Sequence, residues 1–357
     1  MQPAPHHNNF DFIRLLLASF VIITHSYALL GLPEHDGLWQ WSGGNVAFST
    51  LGVNGFFIVS GYLVCQSLER SASIASYLRK RALRIFPGLL LALLFSWALA
   101  WLHFNGPGLQ FLAQADSWTF IPRNMLLLWP QYSIEGSFQE LPAAHRGEIN
   151  GSLWTLGYEW LMYLCLLPLF WIRRAAWRKV VPPIIIIGLL ALMYTDNHWR
   201  LPQWGSIQLS KLTSLGTYFL AGASLHVLGF GKRLKWLHLL ITIGLLMASI
   251  HFHQYFIMQY LLWPVIIIGI AQQPAWRLTR FIQQRGDLSY GIYLLAFPVQ
   301  QTLVSQWPNL TPGMLAGLSW LLVLPLAYAS WHLVEKPALR WKQPAIQQQF
   351  KPLTSNA

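Results

Sequence analysis

Long apolar stretches recur along the chain, separated by short polar segments that hold most of the charged residues. A helix needs about 20 mainly apolar residues to cross the hydrocarbon core of a bilayer, and ten stretches come close to this length. They lie near residues 12–30, 51–68, 85–104, 152–172, 180–195, 211–229, 236–252, 255–271, 288–306 and 313–334. Because a backbone inside lipid must satisfy its own hydrogen bonds, we predict an all-α membrane protein with about ten transmembrane helices in one bundle.

The composition fits this prediction. Of the 357 residues, 54% are hydrophobic and 10% are charged, whereas a typical soluble domain carries about 25% charged residues. The first apolar stretch holds Arg14 and His25 and lacks a small-residue cleavage site, so we expect it to be retained as the first span and not removed as a signal peptide. The two cysteines lie in separate apolar stretches, which predicts neither a disulfide framework nor a metal site.

The distribution of charge predicts the orientation of the chain. The net charge is +12, and with the N-terminus in the cytoplasm most of the 24 Lys and Arg residues fall on the cytoplasmic side of ten alternating spans. This is the positive-inside pattern, so we assign the basic loops to membrane topology and not to nucleic-acid binding. We therefore expect both termini in the cytoplasm, a single transmembrane domain over 1–340 with an extracytoplasmic loop at 105–150, and a cytoplasmic tail at 341–357.

Ionisable residues inside membrane spans are rare and usually functional, and four of those in or at the predicted spans share a helix face or a depth. Asp11 and Arg14 are three residues apart on one face of the first helix, and His25 lies about 16 Å further along the same face. Glu159 lies about 10 Å below the outer end of the fourth span, close to the depth of His25, and a carboxylate beside a histidine orients its ring. The alternatives are that Arg14 extends to lipid headgroups and that His25 and Glu159 make only structural hydrogen bonds.

A pair of arginines precedes the third span. Arg81 and Arg84 are three residues apart in the segment Y-L-R-K-R-A-L-R-I-F-P, so they share a helix face. Paired guanidinium groups bind phosphates in a bidentate manner. The alternative is that both arginines only anchor the helix to anionic lipid.

Six short motifs occur in order at the ends of the predicted spans. They are N-x-D-x-x-R with R-x10-H (Asn9 to His25), G-V-N-G-F-F-I-V-S-G-Y (Gly52 to Tyr62), R-x-x-R followed by I-F-P (Arg81 to Pro87), S-L-W-T-L-x-x-E (Ser152 to Glu159), L-S-Y-G-I-Y-L (Leu288 to Leu294) and V-E-K-P (Val334 to Pro337). In these motifs, and over nearly its whole length, the chain resembles the acyltransferase-3 family of membrane O-acyltransferases, which modify bacterial surface and exported polysaccharides.

The resemblance implies a ten-helix bundle in the bacterial inner membrane. In this family an acyl group, usually acetyl, passes from cytoplasmic acyl-CoA to a saccharide hydroxyl presented from the other side. The family's essential arginine and histidine correspond to Arg14 and His25. Its paired arginines correspond to Arg81 and Arg84, and its buried glutamate corresponds to Glu159.

The sequence departs from the family pattern at two points, which affect the expected base and the expected route of transfer. Many members have a histidine after S-Y-x-x-Y-L-L, where this chain has Ala296, which leaves His25 as the candidate base. Some members also carry an extracytoplasmic hydrolase-like domain for which this sequence has no counterpart. We therefore expect either direct transfer or the help of a separate extracytoplasmic partner.

The resulting hypothesis gives each candidate a role, with acyl-CoA as co-substrate and without a metal. Arg81 and Arg84 hold the phosphates of the donor, and Arg14 supports the donor at greater depth. His25 acts as general base on the acceptor hydroxyl or as a covalent acyl carrier, and Glu159 fixes its ring or the acceptor.

Two other functions stay open at this point. The main alternative is a transporter or flippase of a polar or lipid-linked saccharide, although transporters often show repeated halves and none is visible here. A membrane scaffold or sensor is the other, but it would not need ionisable residues at matched depths. The acceptor, whether exopolysaccharide, O-antigen, glycolipid or a smaller molecule, is not specified by the sequence.

Overall fold

The computed structural model describes residues 8–142, 145–172, 175–196, 203–204, 206–230 and 234–341. This part of the chain is almost entirely helical. Its α-helices are α1 (Phe10–Ala28), α2 (Gly37–Trp41), α3 (Phe48–Glu69), α4 (Ile74–Leu102), α5 (Gly108–Ala113), α6 (Ala115–Met125), α7 (Trp154–Cys165), α8 (Ala175–Asp196), α9 (Leu209–Val227), α10 (Trp236–His251), α11 (Tyr255–Ala271), α12 (Arg277–Arg285), α13 (Ser289–Gln306), α14 (Pro312–Ser330) and α15 (Lys336–Arg340). Short 3-10 turns at Gly151–Leu153 and Leu167–Phe170 flank α7, a π-helical segment at Trp331–Glu335 joins α14 to α15, and the strands β1 (Gln203–Trp204) and β2 (Ile207–Gln208) form an antiparallel pair.

A helix occupies each of the ten predicted spans, and among the described residues five helical segments are long and apolar enough to cross a membrane. These five are Phe10–Ala28, Phe48–Glu69, Ile74–Leu102, Gly151–Phe170 and Pro312–Arg340. Shorter apolar helical stretches occur in α8, α10 and α11. The prediction of a nearly all-α, multi-pass membrane protein is therefore confirmed, whereas the number of crossings and the side of the termini stay predictions.

The helix α13 lies inside the bundle, which explains the polar side chains in its second half. Fifteen of its 18 residues are buried, and it packs against α1, α4 and α14. The side-chain amide of Gln300 donates to the carbonyl oxygen of Ile22 at 3.1 Å. The side-chain amide of Gln301 donates to the carbonyl oxygen of Glu148 at 2.8 Å. Because protein and not lipid surrounds α13, the amide nitrogens of both side chains find hydrogen-bond acceptors.

The closest helix packing joins α3 to α9. A Cβ atom added to Gly61 would lie 1.8 Å from the carbonyl oxygen of Phe219, and one added to Gly222 would lie 2.0 Å from the carbonyl oxygen of Ile58. Small residues permit such close backbone approach between membrane helices.

The third predicted span begins earlier than expected. The helix α4 starts at Ile74 and not near residue 85, and the Ser73 hydroxyl caps it by accepting a hydrogen bond from the Ser76 amide at 3.1 Å. Its 29 residues extend about 43 Å at 1.5 Å per residue, beyond the roughly 30 Å of a hydrocarbon core. Arg81 and Arg84 therefore lie within one continuous helix and not before it.

The connection 105–150 is folded onto one end of the bundle. It contains α5 and α6, and α6 packs against α4. Three phenylalanine side chains of this connection, those of Phe111, Phe120 and Phe138, are fully buried in the main hydrophobic core. The connection is thus a packed layer, which places its polar residues at fixed positions over the helix ends.

Candidate active site

A cavity of about 670 Å³ opens between α1, α3, α4, α7 and α13. Its described wall carries six charged side chains, those of Asp11, Arg14, Arg81, Arg84, Glu159 and Asp287. The structure thus brings five of the six predicted site residues around one space. The sixth, His25, is not among the residues that line this cavity.

The cavity penetrates deeply between the helices. Its lining residues on α3 extend from Val53 to Val64, which is eleven residues or about 16 Å at 1.5 Å per residue. On α7 the lining extends from Thr155 to Tyr163. A long, thin ligand that enters beside the basic residues of α4 therefore has a path through about half the length of α3.

Asp287, which directly precedes α13, lies between two guanidinium groups. Its Oδ2 atom accepts hydrogen bonds from Arg14 Nη1 and, at 2.6 Å, from Arg84 Nη2. Arg84 also forms an ion pair with Glu335, with 3.5 Å between Nη1 and Oε2. Burial alone would raise the pKa of Asp287, but the two guanidinium groups outweigh burial and lower this pKa to about 2. The carboxylate therefore stays charged across the neutral range.

Asp287 and Glu335 are the site residues that the sequence reasoning missed. A signal was available, because the chain has only 12 Asp and Glu residues and each of these two lies in or beside one of the six motifs. Asp287 directly precedes L-S-Y-G-I-Y-L, and Glu335 belongs to V-E-K-P. Arg14 pairs with Asp287, and its expected partner Asp11 is a second acid on the same cavity wall.

The two arginines of the R-x-x-R motif differ in their surroundings. Arg84 is held by two carboxylates and lies over the ring of Tyr290, with 5.3 Å from Cζ to the ring centroid. Arg81 donates to the Ser67 hydroxyl at 3.1 Å and lies over the ring of Tyr163. Its Nε atom is buried without a hydrogen-bond partner, and it makes no ion pair within the described ranges. Arg81 is thus the guanidinium group with free capacity for an anion.

Glu159 makes its contacts inside the cavity. The Tyr163 hydroxyl donates a short hydrogen bond to Glu159 Oε1, and the Ser60 hydroxyl donates to the same oxygen at 3.1 Å. The expected pairing of Glu159 with His25 is not the arrangement in the structure. Tyr163 lies on the next turn of α7, and its hydroxyl is already hydrogen-bonded to the Glu159 carboxylate.

His25 does not line the cavity and contacts α13 beyond it. Its ring packs edge-on against Phe297, with 5.5 Å between ring centroids and 85° between planes. Phe297 is four residues after Tyr293 on α13, and Tyr293 lines the cavity. Four residues are about one turn of a helix, so the ring that contacts His25 lies one turn beyond the last residue of α13 that lines the cavity.

A second histidine, His145, also lies close to Phe297. The His145 ring lies 6.4 Å from the ring of Phe297, centroid to centroid, and its Nδ1 atom is 2.7 Å from Glu148 Oε2. We refer to His25, Phe297, His145 and Glu148 as the outer cluster. No group of three or more metal-ligating side chains occurs among the residues that the structure describes.

Comparison with known proteins identifies the family of the chain. The family model described as "Acyltransferase domain" matches residues 7–332, and the chain belongs to this family. It is 30% identical over 355 residues to a protein of Shigella phage Sf6 named "O-acetyl transferase", covering 95% of this chain and 98% of that protein. It is also 30% identical over 369 residues to "Nodulation protein 10" of Rhizobium leguminosarum bv. viciae, with 94% of each chain covered. No solved structure matches. The protein is therefore a membrane acyltransferase.

Proposed function

We propose that the protein is an O-acetyltransferase of a bacterial inner membrane that moves an acetyl group from cytoplasmic acetyl-CoA to a saccharide hydroxyl on the opposite side. The observation that carries the proposal is the cavity. It is lined by arginines, continues through about half of α3 and includes Tyr293, one turn before Phe297, whose ring packs against His25. The name of the Shigella phage Sf6 relative, "O-acetyl transferase", supports acetyl as the transferred group.

The donor occupies the cavity in this proposal. Arg81, whose Nε atom has no partner, binds a phosphate of CoA, because guanidinium groups form paired hydrogen bonds with phosphate oxygens. Arg14 and Arg84 are fixed by Asp287 and place positive charge along the entrance. The uncharged pantetheine arm then extends between the helices, and the cavity volume lies within the range of small-molecule sites, roughly 300–1,000 Å³.

The transfer step occurs where the cavity approaches the outer cluster. The acceptor oxygen forms a bond to the acetyl carbonyl carbon, and the carbon–sulfur bond of the thioester breaks. His25 removes the proton of the acceptor hydroxyl, and the CoA thiolate that leaves takes up a proton in turn. General-base catalysis of this kind typically contributes a factor of about 10²–10⁴. Glu159, hydrogen-bonded to Tyr163, supports the donor arm in this scheme.

The acceptor is a hydroxyl of a surface or exported saccharide, such as an exopolysaccharide, an O-antigen or a glycolipid. It enters from the end covered by the connection 105–150, because the cavity end with the arginines is occupied by the donor. Transfer is direct in this proposal, from thioester to hydroxyl across the Phe297 region.

The test uses the purified protein in lipid vesicles with radiolabelled acetyl-CoA and candidate saccharides. We expect labelled saccharide to form and His25→Ala to prevent its formation. The matched control is His251→Ala, since His251 is an exposed histidine at the end of α10. Movement of a saccharide across the vesicle membrane without any labelling would overturn the proposal in favour of a flippase.

A further inference from the structure

The proposed function leaves one chemically active pair unused, His145 and Glu148. Both side chains are partly exposed, at 23% and 26% of their full accessible area. The carboxylate oxygen Oε2 faces Nδ1 of the ring at 2.7 Å, and a carboxylate at Nδ1 fixes the ring so that Nε2 points elsewhere. The pair therefore presents a ring nitrogen with a defined direction to a ligand.

The backbone around this pair is held from several sides. The Gln301 side chain of α13 donates to the carbonyl oxygen of Glu148 at 2.8 Å, and the Ile149 amide donates to the carbonyl oxygen of Tyr132 at 2.7 Å. A Cβ atom added to Gly151 would lie 2.7 Å from Glu148 Oε1 and 2.6 Å from the Phe297 ring. The carboxylate and Phe297 thus lie side by side, and the pair is preorganised.

The position of the pair relative to His25 points to its role. The rings of His25 and His145 pack against the same Phe297 ring, at 5.5 and 6.4 Å between centroids. Phe297 lies one turn beyond Tyr293, where the donor cavity ends. His145 therefore shares a neighbour with the proposed base, and it does not line the donor cavity.

The chemistry of the pair suits a polyhydroxylated ligand. A hydroxyl group both donates and accepts hydrogen bonds, and a histidine–carboxylate pair offers both functions at neighbouring atoms. Oε1 of Glu148 accepts no hydrogen bond within the described part of the chain. It is available for a second hydroxyl.

We propose that the His145–Glu148 pair binds the acceptor, with His145 Nε2 hydrogen-bonded to a saccharide hydroxyl next to the one that His25 deprotonates. This inference rests on the proposed function and assigns to the connection 105–150 a part in acceptor recognition. His145 is a binding residue here, because it contacts the substrate, and Glu148 is a positioning residue, because it acts through His145.

The experiment measures label transfer from radiolabelled acetyl-CoA to the methyl glycosides of glucose, galactose and rhamnose by the full-length protein in vesicles. For the glycoside that the wild type uses best, we expect His145→Ala and Glu148→Gln to raise the KM of the glycoside about tenfold, the cost of one hydrogen bond to a charged or polarised group. The KM of acetyl-CoA stays unchanged in both variants. His251→Ala serves as control and leaves both values unchanged.

The outcomes separate this inference from the proposed function. If the wild type labels no glycoside, the proposed function fails and the inference fails with it. If the wild type labels a glycoside and both variants keep its KM, the inference alone is overturned. Equal losses for acetyl-CoA and glycoside would also overturn it, because they indicate a structural role for the pair. Glu148→Gln preserves the shape of the side chain, so the test does not depend on the folding of the alanine variant.

Discussion

The residues around the cavity, which we call the cavity half, differ from those of the outer cluster in how their ionisable side chains are partnered. In the cavity half, Arg14 and Arg84 are fixed by carboxylates, and the Asp287 and Arg84 side chains are each only 13% exposed. In the outer cluster, His25 packs against an aromatic ring and has no ion pair within the described ranges. One half therefore holds permanent charge in fixed positions, and the other holds a group whose charge changes with a single proton.

This difference indicates which step of the proposed reaction each region is suited to. Buried ion pairs stabilise a fold little compared with apolar residues of the same size, so the Asp287 network is poorly explained by stability alone. Fixed guanidinium groups are suited to binding an anionic donor, whereas a histidine ring is suited to accepting a proton from a substrate hydroxyl. The comparison predicts that substitutions in the cavity half change donor binding and stability, and that substitution of His25 in the outer cluster changes the chemical step.

The largest expected effect is at His25. We expect His25→Ala to reduce the transfer rate by a factor of about 10²–10⁴, the usual contribution of a general base. Binding of acetyl-CoA to the vesicle-embedded protein, measured with labelled donor, stays unchanged because His25 does not line the cavity. Weaker donor binding in this variant would break the comparison, since it would place His25 in the donor site.

The next effect concerns the stability provided by Asp287. We expect Asp287→Asn to lower the free energy of unfolding by about 3–5 kcal/mol, because it leaves two buried guanidinium groups uncompensated. Thermal unfolding in detergent measures this loss, and Asp116→Asn on the exposed side of α6 is the control. A stable variant would indicate that solvent or lipid compensates the arginines.

The pH dependence of this difference has a definite sign. The pKa of Asp287 is lowered to about 2 by Arg14 and Arg84 against the opposing effect of burial. Its stabilising contribution is therefore complete above the ordinary aspartate pKa and is lost only as the pH falls towards the lowered value. The stability difference between wild type and Asp287→Asn should be constant across the neutral range.

The third effect separates the two arginines of the R-x-x-R motif. We expect Arg81→Ala to raise the KM of acetyl-CoA about ten- to hundredfold, corresponding to roughly 1.5–3 kcal/mol for a charged hydrogen bond, with little change in unfolding temperature. Arg84→Ala should instead lower the unfolding temperature, since it leaves Glu335 buried and unpaired. If both variants raised the KM equally without loss of stability, the distinction between the two arginines would be wrong.

The sequence predicted the helices and five of the cavity residues for clear physical reasons. Apolar stretches of spanning length define membrane helices regardless of their packing, and spacings of three residues place Arg81 and Arg84 on one face. Charge in an apolar stretch also marks Arg14, His25 and Glu159 as exceptional. These are properties of single helices, and each can be worked out from a continuous stretch of sequence.

The contacts between helices were not predictable in the same way. Arg14 and Asp287 are 273 residues apart, and no spacing rule relates positions on different helices. Glu159 was expected to fix either the His25 ring or the acceptor, and in the structure its partners are Tyr163 and Ser60. Equal depth along two helices does not specify rotation about their axes. The pairing of His145 with Glu148 depends on how the connection 105–150 folds. The sequence around these two residues shows no hydrophobic periodicity from which this local fold could be predicted.

The smallest expected effect lies at the boundary between the two halves. The Tyr293 hydroxyl is hydrogen-bonded to Thr155 Oγ1 at 2.7 Å, at the cavity end below Phe297. We expect Tyr293→Phe to cost only about 1 kcal/mol, the typical net value of a neutral hydrogen bond, and to lower the transfer rate about fivefold with the KM of acetyl-CoA unchanged. Steady-state rates with wild type and variant in the same vesicles provide the measurement. A loss above a hundredfold would mean that this hydroxyl touches the reacting atoms, because no single neutral hydrogen bond accounts for it. Transfer would then take place inside the cavity beside Tyr293, and the division into a donor half and a proton-transfer half would have to move one turn down α13.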